Sequence, residues 1–440
     1  VHEAGIFGKG VKIAVVDTGI WYNHSALGGG FGPGFKVAGG YDLVGDGLWP
    51  YSNDKHIDAD PNDQQGHGTH VAGIIAGKTE SWTGVAPEAI LYSYKVFTQS
   101  DGTDDATLIE TFIAAYSDDV DIITASIGGY GGFANNAWAE VASRIVERGV
   151  VVTIATCNAG NAGAFFSGTG SSGKNVLAVA SAEVTTVEEK ARPSYFTSWG
   201  GLYDLTIKPD ISAPGSNIFS TYFGPGDSFA ELTGTSMATP YIAGVAALYI
   251  SAHGGKKEHG KNFAQELAMR IIASGTAMPW LSDSSVPGGE LSAPIPQVGN
   301  GLVDSVKLLN YKALLSFGRF ALNDKVHFQS SQSITITNNG EENVTYSFSL
   351  QDSAEVEVFW PFQASDAAET PRLRKRVELI PSKMVPNVPF PTSFTLAPRG
   401  SQNAESATLS ISFHFFHLIL IEGRRKLTQF EGLCFQFQRD

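Results

Sequence analysis

The chain has 440 residues, room for a large enzymatic domain and a smaller companion at roughly 100–200 residues per domain. Hydrophobic residues make up 42% and charged residues 17%, a balance that excludes intrinsic disorder. A formal net charge of -14 argues against a nucleic-acid partner, since phosphate recognition needs a basic face. The basic runs RLRKR (372–376) and GRRK (423–426) are short and read as solvated loops or strand edges.

Read in chain order, VKIAVV (11–16) is a β-branched apolar run of strand length that ends in Asp17-Thr18-Gly19. Similar runs recur at 90–97, 120–127, 149–156 and 175–182. Near-continuous apolar strands predict a parallel sheet covered on both faces. Helical patterns lie between them at 67–76, 106–116, 136–148 and 236–252. Alternation of this kind defines an α/β domain, in which ligands bind at the carboxyl ends of the strands. Asp17, the Ser126-Ile127-Gly128-Gly129 segment and Asn158 all fall at such ends.

The helical alternation fades after 299–309, and from about residue 317 a period-two pattern of Thr, Ser, Val and Asn takes over. SITITNN (333–339) and NVTYSFSL (343–350), separated by Gly-Glu-Glu, read as a β-hairpin. The expected division is therefore 1–310 for the α/β domain and 311–440 for a small all-β domain, truncated or aberrant after about residue 412. The longest apolar stretch (413–421) is interrupted by His414 and His417 and is too short to span a bilayer. Two cysteines, Cys157 and Cys434, make no disulfide framework. The triplets at Asn23 and Asn343 are N-glycosylation acceptors in form. The chain opens at Val1 without a signal-like segment, as a mature form does, or one whose N-terminal piece has been left out.

Three motifs carry chemistry: Val16-Asp17-Thr18-Gly19, Gly66-His67-Gly68-Thr69-His70-Val71-Ala72-Gly73 and Gly234-Thr235-Ser236-Met237-Ala238-Thr239-Pro240. Acyl transfer to water needs a hydroxyl nucleophile, an imidazole to take its proton and a buried carboxylate to orient the imidazole. Ser236, His67 and Asp17 are the right types. Ser236 also begins a helix, where the dipole and free N–H groups favour developing negative charge. Singly, each residue reads as a turn, core or capping residue; together, in order, they do not. His70, one turn past His67, is expected to pack structurally.

The order Asp, His, Ser separates this arrangement from the α/β-hydrolase and chymotrypsin-like orders. At all three motifs, and at Lys208-Pro209-Asp210, Ala213-Pro214-Gly215 and Gly299-Asn300-Gly301-Leu302-Val303-Asp304, the sequence resembles the subtilases, nearly continuously from residue 1 to about 310. It is most similar to secreted fungal-type members of the pyrolysin-like branch. That resemblance implies a parallel-sheet subtilisin-like catalytic domain followed by a fibronectin-like β domain. It implies an endopeptidase acting on polypeptide substrates, secretion, and an inhibitory propeptide in the precursor that is absent from this chain. The large insert that many relatives carry before the serine does not fit between 181 and 194.

By the same resemblance an Ala-Gly-Asn sequence should supply the oxyanion donor. Here the text is Ala155-Thr156-Cys157-Asn158-Ala159-Gly160-Asn161-Ala162-Gly163. Counting back from Gly163-Ala164-Phe165-Phe166 selects Asn158 and puts Cys157 where glycine is usual; the local Gly160-Asn161 pair would select Asn161. Cys157 is expected to narrow the pocket for the residue before the cut bond, favouring a smaller side chain or slowing the enzyme, and to be strained if its φ is positive. Asp101-Gly102-Thr103 and Ser126-Ile127-Gly128-Gly129 match the family segments that pair with an extended peptide, a form of β-augmentation. No cofactor is implied and no metal is entered: Asp42, Asp46, Asp58, Asp60 and Asp63 read as a polar surface loop. The rival class is a non-enzymatic binding or adhesion module on the same fold, and an esterase on the same triad is a second.

Overall fold

The computed structural model describes residues 1–100, 102–184, 191–280, 291–316, 331–349, 353–360, 372–383 and 392–406. Six strands form a parallel sheet: β1 (Lys12–Asp17), β2 (Val37–Asp42), β3 (Ile90–Lys95), β4 (Ile122–Ala125), β5 (Val151–Ala155) and β6 (Leu177–Glu183). Their order is β2-β3-β1-β4-β5-β6. Two short strands, β7 (Arg192–Pro193) and β8 (Ile211–Pro214), pair with β6, antiparallel and parallel respectively. Every residue of β4 and β5 is buried, so both faces are covered, as their near-continuous apolar text predicts. Each buried Val or Ile contributes roughly 1.5–3 kcal/mol; Val15→Asp would place an unpaired charge among them.

The strand order reverses at β1, which pairs with β3 on one side and β4 on the other. A crevice opens at the carboxyl ends of the strands at such a switch point. Four helices are those read from periodicity: α1 (His67–Ala76), α2 (Asp105–Ser117), α3 (Ala137–Val146) and, later, α4 (Thr235–His253). A hairpin of β9 (Ile218–Tyr222) and β10 (Ser228–Leu232) precedes α4 and packs on α1. Helix α4 packs against α1 and over β4, β5 and β6. The domain is completed by α5 (Lys256–His259), α6 (Phe263–Ser274), α7 (Ile295–Val298) and α8 (Ser305–Asn310).

Small antiparallel sheets follow. One joins β11 (Ala313–Leu315), β12 (Gln332–Asn338) and, at the far end, β17 (Ser401–Ser406). Between them in sequence come β13 (Val344–Tyr346), β14 (Ala354–Glu355), β15 (Ser382–Lys383) and β16 (Phe394–Leu396), paired β13 with β16 and β14 with β15. Thus the two strands expected to form a hairpin belong to different sheets. The cause is Asn338: its amide donates to Glu342 O at 2.8 Å and Leu396 O at 3.1 Å, and its Oδ1 accepts from Gly340 N at 2.9 Å. These bonds turn the chain out of one sheet and into the next. Ala313, Ile334, Ile336, Tyr346, Leu396 and Ala404 fill the space between the two sheets. Cys434 and the apolar run at 413–421 lie outside the described residues.

Two further expectations are corrected. Asp42 and Asp63 are fully buried, not part of a surface loop. Asp42 pairs with buried Lys95 at 2.8 Å, which removes the cost of an isolated charge. Within RLRKR, Arg376 is buried; the remainder does behave as a strand edge, with Trp360 N donating to Arg372 O and Arg374 N to Val358 O, each at 2.9 Å.

Candidate active site

Asp17 is the last residue of β1 and is fully buried. Its Oδ1 accepts from Thr18 N at 2.8 Å and from His67 Nδ1 at 2.7 Å. A carboxylate cannot donate, so Nδ1 carries the hydrogen and Nε2 of neutral His67 is left as a base. His67 is the first residue of α1, and 35% of its side chain is open to solvent. Loss of water around the ring pushes its pKa down. The charge and hydrogen bond of Asp17, with the charge of Asp63 behind them, push it further up, and the net shift is upward.

Asp63 builds the frame around this pair. Its Oδ1 accepts from Thr18 Oγ1 at 2.8 Å, Gln65 N at 2.9 Å and Gly66 N at 3.0 Å. Its Oδ2 accepts from Thr69 N at 3.0 Å and from Thr69 Oγ1. Thr69 N is one of the orphan donors of the first helical turn, so Asp63 caps α1 from outside it. Thr18 Oγ1 takes another, accepting from Gly68 N at 2.8 Å. Burial pushes the Asp63 carboxyl up, against these donors. Sequence reasoning missed this role; the one signal is that Asp63 lies four residues before His67, just ahead of the Gly66–Gly73 motif.

Ser236 is the second residue of α4. Pro240 inside the helix has no N–H to give Ser236 O, and that carbonyl is taken instead by Ser126 Oγ at 2.8 Å. Ser236 Oγ donates to Ser126 O at 3.3 Å, and no hydrogen bond joins it to His67 among the described residues. Ser126 directly follows β4, the neighbour of β1. His67 and Ser236 therefore stand over adjacent strand ends, about 4.8 Å apart in such a sheet. Contacts of this kind are often loose before substrate binds.

Asn158 follows β5, and its Oδ1 accepts from Thr235 N and Thr235 Oγ1, each at 3.0 Å. That fixes the amide so that Nδ2 faces the start of α4. A Cβ placed on Gly234 would lie 3.5 Å from Asn158 Nδ2 and 3.7 Å from Ser236 N, so both donors border one small space. No protein acceptor takes the Ser236 N–H among the described residues. Asn161 is exposed in the short helix Gly160–Ala162 and makes no such contact.

Cys157 has φ 76° and is 7% exposed. A β-carbon there in left-handed backbone costs about 1–3 kcal/mol. Its Sγ lies beside Gly128 and Gly168: a Cβ on either glycine would come within 2.7 and 3.0 Å of it. Burial pushes the thiol up to about 12. Gly128 and Gly129 are held opposite this wall, with Thr169 N donating to Gly129 O at 2.9 Å. Gly102 lies against Pro50, Thr103 precedes α2, and Asp101 falls outside the described residues. His70 is structural: Nε2–H donates to Ile218 O at 3.0 Å and Ala230 O at 3.1 Å, tying α1 to the β9–β10 hairpin. No cluster of His, Cys, Asp and Glu suited to a metal occurs among the described residues.

An imidazole bonded to a buried carboxylate near a serine at a helix start is the arrangement expected of a serine peptidase of the subtilisin type. The chain belongs to the subtilase family, whose model matches residues 8–280. It is 34% identical to Thermitase of Thermoactinomyces vulgaris over 277 residues, 61% of this chain and 85% of that one. It is 34% identical to Subtilisin of Bacillus pumilus over 255 residues, 58% of this chain and 81% of that one. The fold is also that of a protease from Pseudoalteromonas arctica, at a TM-score of 0.54 and 23% identity, covering 70% of this chain and 91% of the other. By class the protein is a serine endopeptidase.

Proposed function

We propose that the chain hydrolyses peptide bonds through an acyl-enzyme formed on Ser236. His67 Nε2 takes the hydroxyl proton as Oγ attacks the carbonyl carbon, then gives it to the leaving amine. Water repeats the sequence on the ester and frees Ser236. Asp17 holds His67 in the required tautomer, and Asn158 Nδ2 with the Ser236 N–H receives the oxyanion. The observation that carries this reading is the 2.7 Å bond from His67 Nδ1 to Asp17 Oδ1 beside a serine at a helix start.

The substrate lies extended between 101–103 and 126–129, gripped through its main chain. Cys157 narrows the pocket for the residue before the cut bond, so small side chains are preferred there. The finer placement is in the secreted, pyrolysin-like branch, with residues 1–310 as the catalytic domain and 311–440 as a fibronectin-like domain; the separate β core after Ala313 supports that division. Secretion, glycosylation and synthesis behind a propeptide belong to the same reading. Asn23 and Asn343 are both exposed, and no described helix is long and apolar enough to cross a membrane.

A fluorophosphonate probe tests the central claim. The parent should be labelled and a Ser236→Ala variant should not. An unlabelled but folded parent would favour the binding-module alternative, with Cys157→Gly the first restoration to try.

A further inference from the structure

Part of the chain between β13 and β15 does not hang free of the catalytic domain. Residues 354–360 and 372–379 pack against it, behind the loop that carries Asn158. Ala354 and Leu379 close over Trp199 and Trp280, and Val358 covers Ala164 and Phe165. Gly163 has φ 89°, and a Cβ there would meet Arg374 O at 2.2 Å, so the two backbones touch.

Between these layers runs the strip 195–199. Ser198 grips the backbone on both sides of Asn158: its N–H donates to Cys157 O at 3.0 Å, and its Oγ accepts from Ala159 N at 2.9 Å. Gly160 N donates to Phe196 O at 2.9 Å. Arg376 holds the other side of the strip. It is 7% exposed, Nη1 donates to Tyr195 O at 3.0 Å, and its guanidinium lies 4.1 Å from the centre of the Tyr195 ring. A desolvated guanidinium with both a cation–π and a carbonyl partner is a rigid anchor.

We propose that Arg376 is a positioning residue for the hydrolysis, acting through Tyr195 and Ser198 to set the backbone from which Asn158 reaches the oxyanion. The inference rests on the proposed role of Asn158. It makes the C-terminal segment part of the catalytic apparatus, linked to the reacting atoms by three layers of contact. A second connection runs in parallel: Phe359 packs on Phe165, which stacks on Tyr203, which packs on Phe133 at the end of the 126–133 segment.

The test is a double-mutant cycle in the full chain, measuring kcat and KM on a fluorogenic peptide and the rate of fluorophosphonate labelling. Arg376→Ala should lower kcat roughly tenfold with a smaller change in KM, short of the 10²-fold that about 1 Å of misplacement costs. Arg376→Lys should recover part of it, since a cation still reaches the ring. In an Asn158→Ala background the same change should cost little, because the donor it serves is gone. If Arg376→Ala does not fold, Arg376→Lys alone and with Asn158→Ala completes the cycle. Equal losses in both backgrounds, or an unchanged kcat, overturn the inference while leaving the labelled parent an enzyme. A parent that neither labels nor hydrolyses overturns both.

Discussion

The hydroxyl of Thr18 joins the two buried carboxylates of the site: it donates to Asp63 at 2.8 Å, while its own N–H donates to Asp17 at 2.8 Å. Asp63 thus fixes the residue that fixes Asp17, and it adds negative charge near His67. The working imidazole must be neutral to act as a base, and its pKa lies above the ordinary 6.5. Activity should therefore rise as pH passes through the raised His67 pKa, on the alkaline side of 6.5. Asp63→Asn removes one upward influence, so the acid limb of kcat/KM should move to lower pH, whatever the loss in maximal rate. A limb that stays in place would remove Asp63 from the electrostatics of the site.

Asn158→Ala should lower kcat by about 10²–10³ with little change in KM, the cost of one oxyanion donor measured in a bacterial subtilisin. Asn161→Ala should leave both constants near the parent's. The reverse pattern would move the donor to the other asparagine.

Cys157→Gly should broaden the pocket and relieve a strained backbone. Expected is a gain in kcat/KM for peptides with Phe or Leu before the cut bond, relative to those with Ala, read from a panel of matched substrates. An unchanged ratio would show that the thiol does not bound the pocket. Because the thiol is buried and pushed up to about 12, iodoacetamide should modify it only after unfolding.

His70 carries a stability prediction. Burial, the largest influence, lowers its pKa from 6.5 to about 4. A depressed histidine favours the fold above its unfolded value and loses that advantage as pH falls through its folded value. Between pH 6.5 and 4 the chain should lose on the order of 3 kcal/mol from this group alone. His70→Gln keeps a donor for the two carbonyls and cannot titrate, so its denaturation midpoint should fall less steeply over that range. Parallel slopes would assign the acid sensitivity elsewhere.

The sheet strands β1, β3, β4, β5 and β6 and helices α1 to α4 were legible because each is a local periodic pattern of full length. Strand β2, with the text VAGGYD, was not, since its glycines hide the apolar face. Asp17, His67, Ser236 and Asn158 were legible as residue types at strand and helix ends. Their supports were not. Thr235 bonds Asn158, and Ser198 the residues on either side of it, from positions far along the chain, and Arg376 is buried against a partner 181 residues away, the carbonyl of Tyr195. Such partners leave no mark on local pattern. The hairpin reading failed for a related reason: period-two text reports a strand but not which strand it will pair with, and Asn338 decides that by a single side chain.

The groups assigned to catalysis come from β1, α1, the turn after β5 and α4, and none is near another in sequence. Parallel pairing of this kind is non-local and slow to form. A nascent chain that has not yet reached α4 has no nucleophile. One that has reached it still lacks the bonds of Ser236 to Ser126 and of Thr235 to Asn158 until β4 and β5 are in place. Hydrolytic competence therefore requires β4, β5 and α4 to be docked together, and a chain short of that point is unfolded polypeptide, the kind of material a peptidase cuts most readily.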